Sequence, residues 1–220
     1  MKNKSARGAA TRHKILEAAA ELINRKGFNA TSVDDILAAS GTGKSQFYHY
    51  FNSKNQLARE LTELHSANMP LSRLTAPDAL TSLEELEAAL EALVESHRGG
   101  QYVYGCPTSN LATELVAGSD ELADYFRNIF SEIESKLAEA IARLRFRGHL
   151  RQDVSPESVA SFIAASIEGA LLLTKISGKS EPLAATVSQL RSYLRSLAHK
   201  PQSTVRHLTA PRPAPLTYCP

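Results

Sequence analysis

The stretch GTGKSQFYHYF, residues 41–51, places a tight glycine turn directly before a cation, a hydroxyl and a run of polar aromatic side chains. Just upstream, residues 33–39 have the alanine-rich composition of a short helix. Ser32 is placed to cap that helix, and Asp35 three residues later completes a capping box. Two short helices joined by a glycine-containing turn predict a helix-turn-helix.

A second motif overlaps this stretch and has to be weighed against it. Gly43-Lys44-Ser45 matches the last three positions of a phosphate-binding loop. That loop requires a glycine at position 38, where Ala38 stands, and a buried strand before it, where the sequence has helical capping. Both failures favour the helix-turn-helix.

The aromatic run identifies a family resemblance. Residues 11–65 resemble the DNA-binding domain of the TetR family of bacterial repressors, in which an aromatic run is followed by a Ser/Thr-Lys helix start. Here the run is Phe47-Tyr48-His49-Tyr50-Phe51, and Ser53-Lys54 follows it. The resemblance implies an all-α protein with an N-terminal three-helix helix-turn-helix head and a helical ligand-binding and dimerisation body. It also implies a homodimer that binds a palindromic double-stranded DNA operator and is released by a small-molecule effector.

The same resemblance implies which side chains contact DNA. It places Thr31 and Lys54 at helix starts that clamp the phosphate backbone, and it gives the groove-facing positions of the recognition helix to Lys44, Ser45, Gln46, Tyr48, His49 and Tyr50. The chemistry agrees, because lysine and glutamine reach base acceptors in the major groove. Phe47 and Phe51, four residues apart, are expected in the core. One departure is Gly43, where the family usually has serine, so the recognition helix lacks a hydroxyl cap.

Charge is concentrated at the N-terminus. The whole chain of 220 residues has a formal net charge of +2, but residues 1–60 contain ten Lys/Arg against five Asp/Glu. A basic head on a near-neutral body is the distribution that a small DNA-contacting module would show, because neutralising phosphates supplies most non-specific affinity. The alternative is a solvated basic surface, which charge alone favours.

Four segments are expected along the chain. Residues 1–10 are predicted to be a flexible arm, 11–56 the DNA-binding head, 57–199 the body, and the proline-rich residues 200–220 a disordered tail. Helices at 156–177 and 182–199 stand where the family forms its dimer interface, and Leu190 and Leu194 are predicted to contribute to it. We expect a cytoplasmic protein that does not enter a membrane, because two cysteines make no disulfide framework and no uninterrupted apolar run is long enough to span a bilayer.

Cys106 is the most distinctive residue of the body. Pro107 suits a first helical position, so Cys106 is the expected N-cap, where the helix dipole would lower the pKa of the thiol. Together with Lys175, it resembles a subgroup of TetR-like repressors that answer electrophiles or oxidants through one cysteine. Tyr102, Asn110 and Tyr125 are further candidate effector contacts. The alternative is that Cys106 is a small buried residue of the core.

A helical enzyme that acts on a small electrophile through Cys106 is the competing function. The motifs supply no positioned base, acid or oxyanion donor around the thiol, so a regulator is favoured over an enzyme. No Cys/His pair has the spacing of metal ligands, and neither a metal nor a cofactor is expected. His65 and His97 lie near apolar stripes and are interpreted as structural or pocket-lining residues.

Overall fold

The computed structural model describes residues 2–68, 80–100 and 103–198. Within them the fold is all-α, as predicted, with a single isolated bridge between Leu150 and Ala198. The helices are α1 Lys2–Lys26, α2 Val33–Ser40, α3 Lys44–Tyr50, α4 Lys54–Asn68, α5 Leu83–Arg98, α6 Pro107–Leu115, α7 Asp120–Phe146, α8 Pro156–Ser177 and α9 Glu181–Ser196. The predicted disordered tail and Tyr102 lie outside the described residues.

Local hydrogen bonds explain where the short helices begin and end. The predicted capping box of α2 is present: the Asp35 amide donates to Ser32 Oγ at 3.0 Å, and the Ser32 amide donates to the Asp35 carboxylate at 2.9 Å. The amide and the hydroxyl of Ser32 both donate to the Asp35 carboxylate, and these two bonds lower its pKa. α2 ends at Gly41, whose φ of 65° suits a residue without a side chain. This left-handed residue ends α2 and begins the turn that leads into α3.

The structure corrects the N-terminal boundary. Residues 2–10, expected as part of a flexible arm, continue α1 without interruption. The physical reason is local composition, because this segment contains alanine, lysine and arginine, which favour helix, and no proline to stop it.

The described residues form two hydrophobic cores, which do not follow the predicted boundary at residue 56. The first, the head core, joins α1–α4 to α6 and the start of α7. Its buried members are Ile15, Leu16, Ala19, Leu22, Ile23, Phe28, Ile36, Phe47, Phe51, Leu57, Ala58, Leu111, Ala112, Leu115, Leu122 and Phe126. Two helices assigned by sequence to the body therefore pack with the DNA-binding head.

The second, the body core, joins α5, the C-terminal half of α7, α8 and α9. Leu190 and Leu194 belong to it, and they are 2% and 0% exposed. The prediction that these two leucines form a dimer interface is therefore wrong, because they already pack inside one chain. Helical periodicity placed these leucines on one apolar face of the helix, but it does not say which partner covers that face.

α8 carries a second apolar face that its own chain leaves uncovered. Residues three and four apart form one line along the helix, which we call the α8 stripe: Phe162, Ser166, Gly169, Leu173 and Ile176. Phe162, Leu173 and Ile176 are 49%, 57% and 72% exposed. A Cβ at Gly169 would have no neighbour within 4 Å, so another helix could approach closely there.

The two apolar faces also account for the high hydropathy of α8. Among the described residues it is the one helix long and apolar enough to cross a membrane, with a mean hydropathy of 1.6. Core helices of soluble proteins meet the same criterion, and α8 contributes eight buried residues within the chain. Its composition therefore reflects one face in the body core and one face outside it.

Candidate functional site

The outer face of α3 is polar and free of the head core. Lys44, Ser45, Gln46, Tyr48 and His49 are all exposed, and Tyr48 projects with 53% of its surface accessible. Helical spacing explains the arrangement, because positions 44, 45, 48 and 49 share one side of the helix. A face with a cation, a hydroxyl, a phenol and an imidazole can contact both phosphates and base edges.

The inner face of α3 anchors it to the head. Phe47 and Phe51 are fully buried, as predicted, with ring centroids 5.5 Å apart. Tyr50 is half-buried and packs against the head core, so it is less available to DNA than Tyr48. The His49 ring meets the Tyr50 ring edge to face at 4.7 Å, which orients the imidazole.

The start of α3 lacks a side-chain hydroxyl cap, as the sequence indicates. Gly43 is the N-cap, and its amide donates to Gln46 Oε1 at 2.9 Å. The exposed Gln46 therefore uses its side-chain oxygen to cap the start of the helix. Lys44 Nζ lies 3.4 Å from Asp34 Oδ1, and both side chains are exposed. Because an exposed ion pair is weak, the Lys44 ammonium can leave Asp34 and bind a phosphate instead.

Thr31 and Lys54 both use their polar groups inside the head. Thr31 is 0% exposed, and its hydroxyl donates to the Gly27 carbonyl at 2.7 Å. The Lys54 ammonium donates to the carbonyls of Phe28 and Thr31 at 3.0 and 2.9 Å. The predicted phosphate clamp is corrected for the buried Thr31 hydroxyl, whereas for the half-buried Lys54 it stays a prediction. The pKa of Lys54 is lowered, because burial disfavours the charged ammonium more than the nearby Glu114 carboxylate favours it.

Comparison with known proteins identifies the family. Residues 15–61 match the family of bacterial regulatory proteins, tetR family, and residues 82–190 match the tetracyclin repressor-like C-terminal domain. An HTH-type transcriptional regulator in the lacX 3′ region of Lactococcus lactis is 33% identical over 197 residues, covering 86% of this chain and 96% of that protein. This chain belongs to the TetR family. It is a helix-turn-helix transcriptional regulator and not an enzyme.

Two further relatives support the assignment. The HTH-type transcriptional repressor DhaR of Mycobacterium sp. is 29% identical over 174 residues, covering 78% of this chain and 86% of that protein. A TetR transcriptional regulator from Chloroflexus aurantiacus has a solved structure with a TM-score of 0.73. It is 25% identical, and the match covers 88% of this chain and 98% of that one.

Cys106 is the N-cap of α6, as predicted for this TetR-family chain, but its chemistry differs from the prediction. The residue is 4% exposed and belongs to the body core. Burial first, and the nearby Glu168 carboxylate second, raise the pKa of the thiol to about 12. The expected lowering is wrong, because an N-cap position favours the thiolate far less than desolvation disfavours it. The structure places Cys106 among packing residues.

Polar side chains gather around the first turn of α6. Lys175 Nζ donates to Asn110 Oδ1 at 2.8 Å, and Ser109 Oγ donates to Glu168 at 2.5 Å. His65 Nε2 lies 4.0 Å from Cys106 Sγ. Burial lowers the pKa of His65 to about 4, so this ring is neutral at physiological pH.

Of the predicted effector residues, the structure brings together three and separates one. Cys106, Asn110 and Lys175 lie together at the start of α6. Lys175 also packs on Gly105, where an added Cβ would lie 3.3 Å from Lys175 Cδ. Tyr125 lies elsewhere, with its hydroxyl donating to the Arg59 carbonyl at 3.2 Å. It joins α7 to α4.

Sequence reasoning missed two carboxylates of this region. Glu168 carried a signal, because it is an isolated acid in the apolar helix α8. Glu114 carried none, since an acidic residue late in a short helix is ordinary. In the structure its carboxylate accepts the amides of Phe28 and Asn29 in the α1–α2 turn.

A pocket lies where the head meets α6. Its volume is about 250 Å³, and its lining residues come from α1, α4 and α6: His13, Leu16, Glu17, Ala20, Ile23, Asn24, Leu61, Thr62, Leu64, His65, Pro107 and Leu111. Seven of these lining residues are apolar and five are polar, and a mainly apolar surface with some polar groups is the usual composition of a small-molecule site. Within the described ranges no group of His, Cys, Asp and Glu side chains is placed to hold a metal ion.

Proposed function

We propose that this TetR-family regulator is a homodimeric repressor that binds a palindromic operator through the outer face of α3 and leaves it when a small molecule binds. The observation that carries the proposal is the exposed set Lys44, Ser45, Tyr48 and His49, fixed from beneath by Phe47. An exposed polar face on a rigidly anchored helix can enter a major groove without losing its geometry.

The α8 stripe supports the homodimer. Three large apolar side chains exposed along one helix face are unusual on a monomer, and their self-complementary line around Gly169 suits a two-fold contact with the same helix of a second copy. Tyr193 of α9 packs edge to face on Phe162 at 5.1 Å and extends this surface. Two-fold symmetry of the protein would match the symmetry of a palindromic operator.

The pocket between α1, α4 and α6 supports a reversible, uncharged effector. An occupant would contact α1 and α4 of the head together with Pro107, which follows the body-core residue Cys106, so binding there can bias the position of the head relative to the body. An electrophile that modifies Cys106 is the narrower alternative, favoured by the location of this residue beside His65. Its buried thiol and raised pKa weigh against it. The cytoplasm, where operator DNA is accessible, is the proposed location.

Tyr48→Ala and Lys44→Ala test the DNA-binding proposal. A duplex is first selected from a random-sequence pool by the wild-type protein, and the affinity of each variant for it is then measured by fluorescence anisotropy. We expect each variant to bind at least about tenfold more weakly, with an unchanged far-UV circular dichroism spectrum. Lys44→Ala should also make the salt slope shallower by about one counterion.

Glu181→Ala is the matched control, because this exposed residue at the start of α9 lies outside the head. It should bind like the wild type. Wild-type affinity in both α3 variants would show that another surface binds DNA, and failure of the wild-type protein to select any duplex would overturn the proposed function.

A further inference from the structure

Glu114 joins the body to the head through the polypeptide backbone. Near the C-terminal end of α6, its carboxylate accepts the amide of Phe28 at 2.9 Å and the amide of Asn29 at 2.7 Å. Both amides lie in the turn between α1 and α2, next to the helix-turn-helix. A carboxylate that accepts two hydrogens from one turn defines the orientation of that turn as well as its distance, and such charge-assisted bonds are stronger than neutral ones.

The turn is shaped to receive this carboxylate. Gly27 has a φ of 92°, and a Cβ at that position would lie 2.8 Å from Glu114 Oε1. Lys54 of α4 binds the carbonyls of Phe28 and Thr31 in the same turn. The amides are therefore held by α6 and the carbonyls by α4. Because Ser32 begins α2 directly after the turn, a movement of Glu114 passes to the helix-turn-helix.

α6 is attached at its other end to the body. Its N-cap Cys106 lies in the body core, whereas Leu111, Ala112 and Leu115 lie in the head core. Its first turn is also tied to α8, which provides Glu168 for Ser109 and Lys175 for Asn110. One short helix thus has its first turn bonded to α8 and its last turn bonded to the head.

We propose that Glu114 is a positioning residue for operator binding: it sets the angle of the head relative to the body, and through it the separation of the two recognition helices in the dimer. The inference rests on the proposed function, since this separation matters only to a dimer on two half-sites. Half-sites read in successive major grooves lie ~34 Å apart, so a head that is free to tilt tolerates the wrong spacing.

Glu114→Gln tests the inference, because glutamine keeps the size of the side chain but presents an NH₂ group to one of the two amides. Glu132→Gln is the matched control, since Glu132 is an exposed acid on α7 that pairs with Lys136. Affinity is measured for the selected operator and for the same duplex with one base pair inserted between the half-sites. In parallel, hydrogen exchange is followed at the amides of Phe28 and Asn29.

We expect the wild type and Glu132→Gln to prefer the selected spacing by about tenfold or more. Glu114→Gln should lose most of that preference, while its oligomeric state and circular dichroism spectrum stay unchanged. Its Phe28 and Asn29 amides should exchange about tenfold faster than in the wild type.

One result would overturn the inference alone: a Glu114→Gln variant that keeps the wild-type spacing preference. This holds whether its affinity for the two duplexes is unchanged or is reduced by the same factor, which is what a purely structural role predicts. If the wild-type protein selects no palindromic duplex, the proposed function and this inference fall together.

Discussion

The outer face of α3 and the α8 stripe both expose large side chains, but with opposite chemistry. α3 presents Tyr48 with a cation and an imidazole beside it, whereas α8 presents Phe162, Leu173 and Ile176 with no charged group on the same line. A surface that meets hydrated phosphates needs polar tips, and a surface that meets another protein gains most from apolar area. The difference separates a DNA-facing surface from a protein-facing one on chemical grounds.

The largest expected effect comes from placing a charge at a buried position of α9. Leu194→Asp places a carboxylate without a partner at a fully buried position of the body core. We expect a destabilisation of more than about 4 kcal/mol, because the charge is desolvated and leucine packing is lost. Chemical denaturation followed by circular dichroism measures it. Ser192→Asp, on an exposed position of the same helix, is the control, and equal stability of the two variants would contradict the burial of Leu194.

A smaller effect on the fold, but a decisive one on assembly, is expected for Leu173→Asp in the α8 stripe. Leu173 is 57% exposed in the single chain, so the variant should fold. In a two-fold contact the change removes two leucines and adds two facing charges, costing the dimer about 3 kcal/mol or more. Sedimentation velocity should show a monomer. Phe146→Asp, at a 91% exposed site on α7, should remain dimeric, and a dimeric Leu173→Asp would remove α8 from the interface.

The smallest effect is expected at Cys106, which belongs to the body core and to neither surface. Thiolate is the reactive form, and with a pKa of about 12 its fraction should keep rising with pH across the range from 7 to 9. Cys219, the other cysteine of the chain, is first replaced by serine so that only Cys106 can react. Iodoacetamide should then label the native protein at least about a hundredfold more slowly than the urea-unfolded chain. Mass spectrometry measures the rate. Rapid labelling at pH 7 that also releases DNA would support the electrophile alternative.

Local sequence signals predicted the helices and the anchored side of α3 well. The Ser32–Asp35 capping box, the glycine after α2 and the spacing of Phe47 and Phe51 depend on residues within one or two turns of each other. Residue type alone did not reveal which polar groups the head uses internally. The Thr31 hydroxyl is buried against the Gly27 carbonyl four residues earlier, and the Lys54 ammonium donates to the carbonyls of Phe28 and Thr31, which the fold brings next to α4.

Packing between elements was the other source of error. Periodicity placed Leu190 and Leu194 on one apolar face of α9. Only the position of α9 against α5 and α8 shows that this face packs inside its own chain. Cys106 was correctly placed at the start of α6, and the surrounding body core then reversed the expected direction of its pKa. Burial is a property of the assembled structure, so neither outcome is contained in the local sequence.

The sequence by itself determined the helical fold, the family and the polar outer face of α3, because capping, helical periodicity and the aromatic run act over a few residues. Only the tertiary structure decided that α6 belongs to both cores and that Glu114 binds a turn 85 and 86 residues earlier in the chain. A carboxylate finds two free amides only when two helices have already packed at one angle. That angle depends on the shapes of both cores together, and no single segment specifies it.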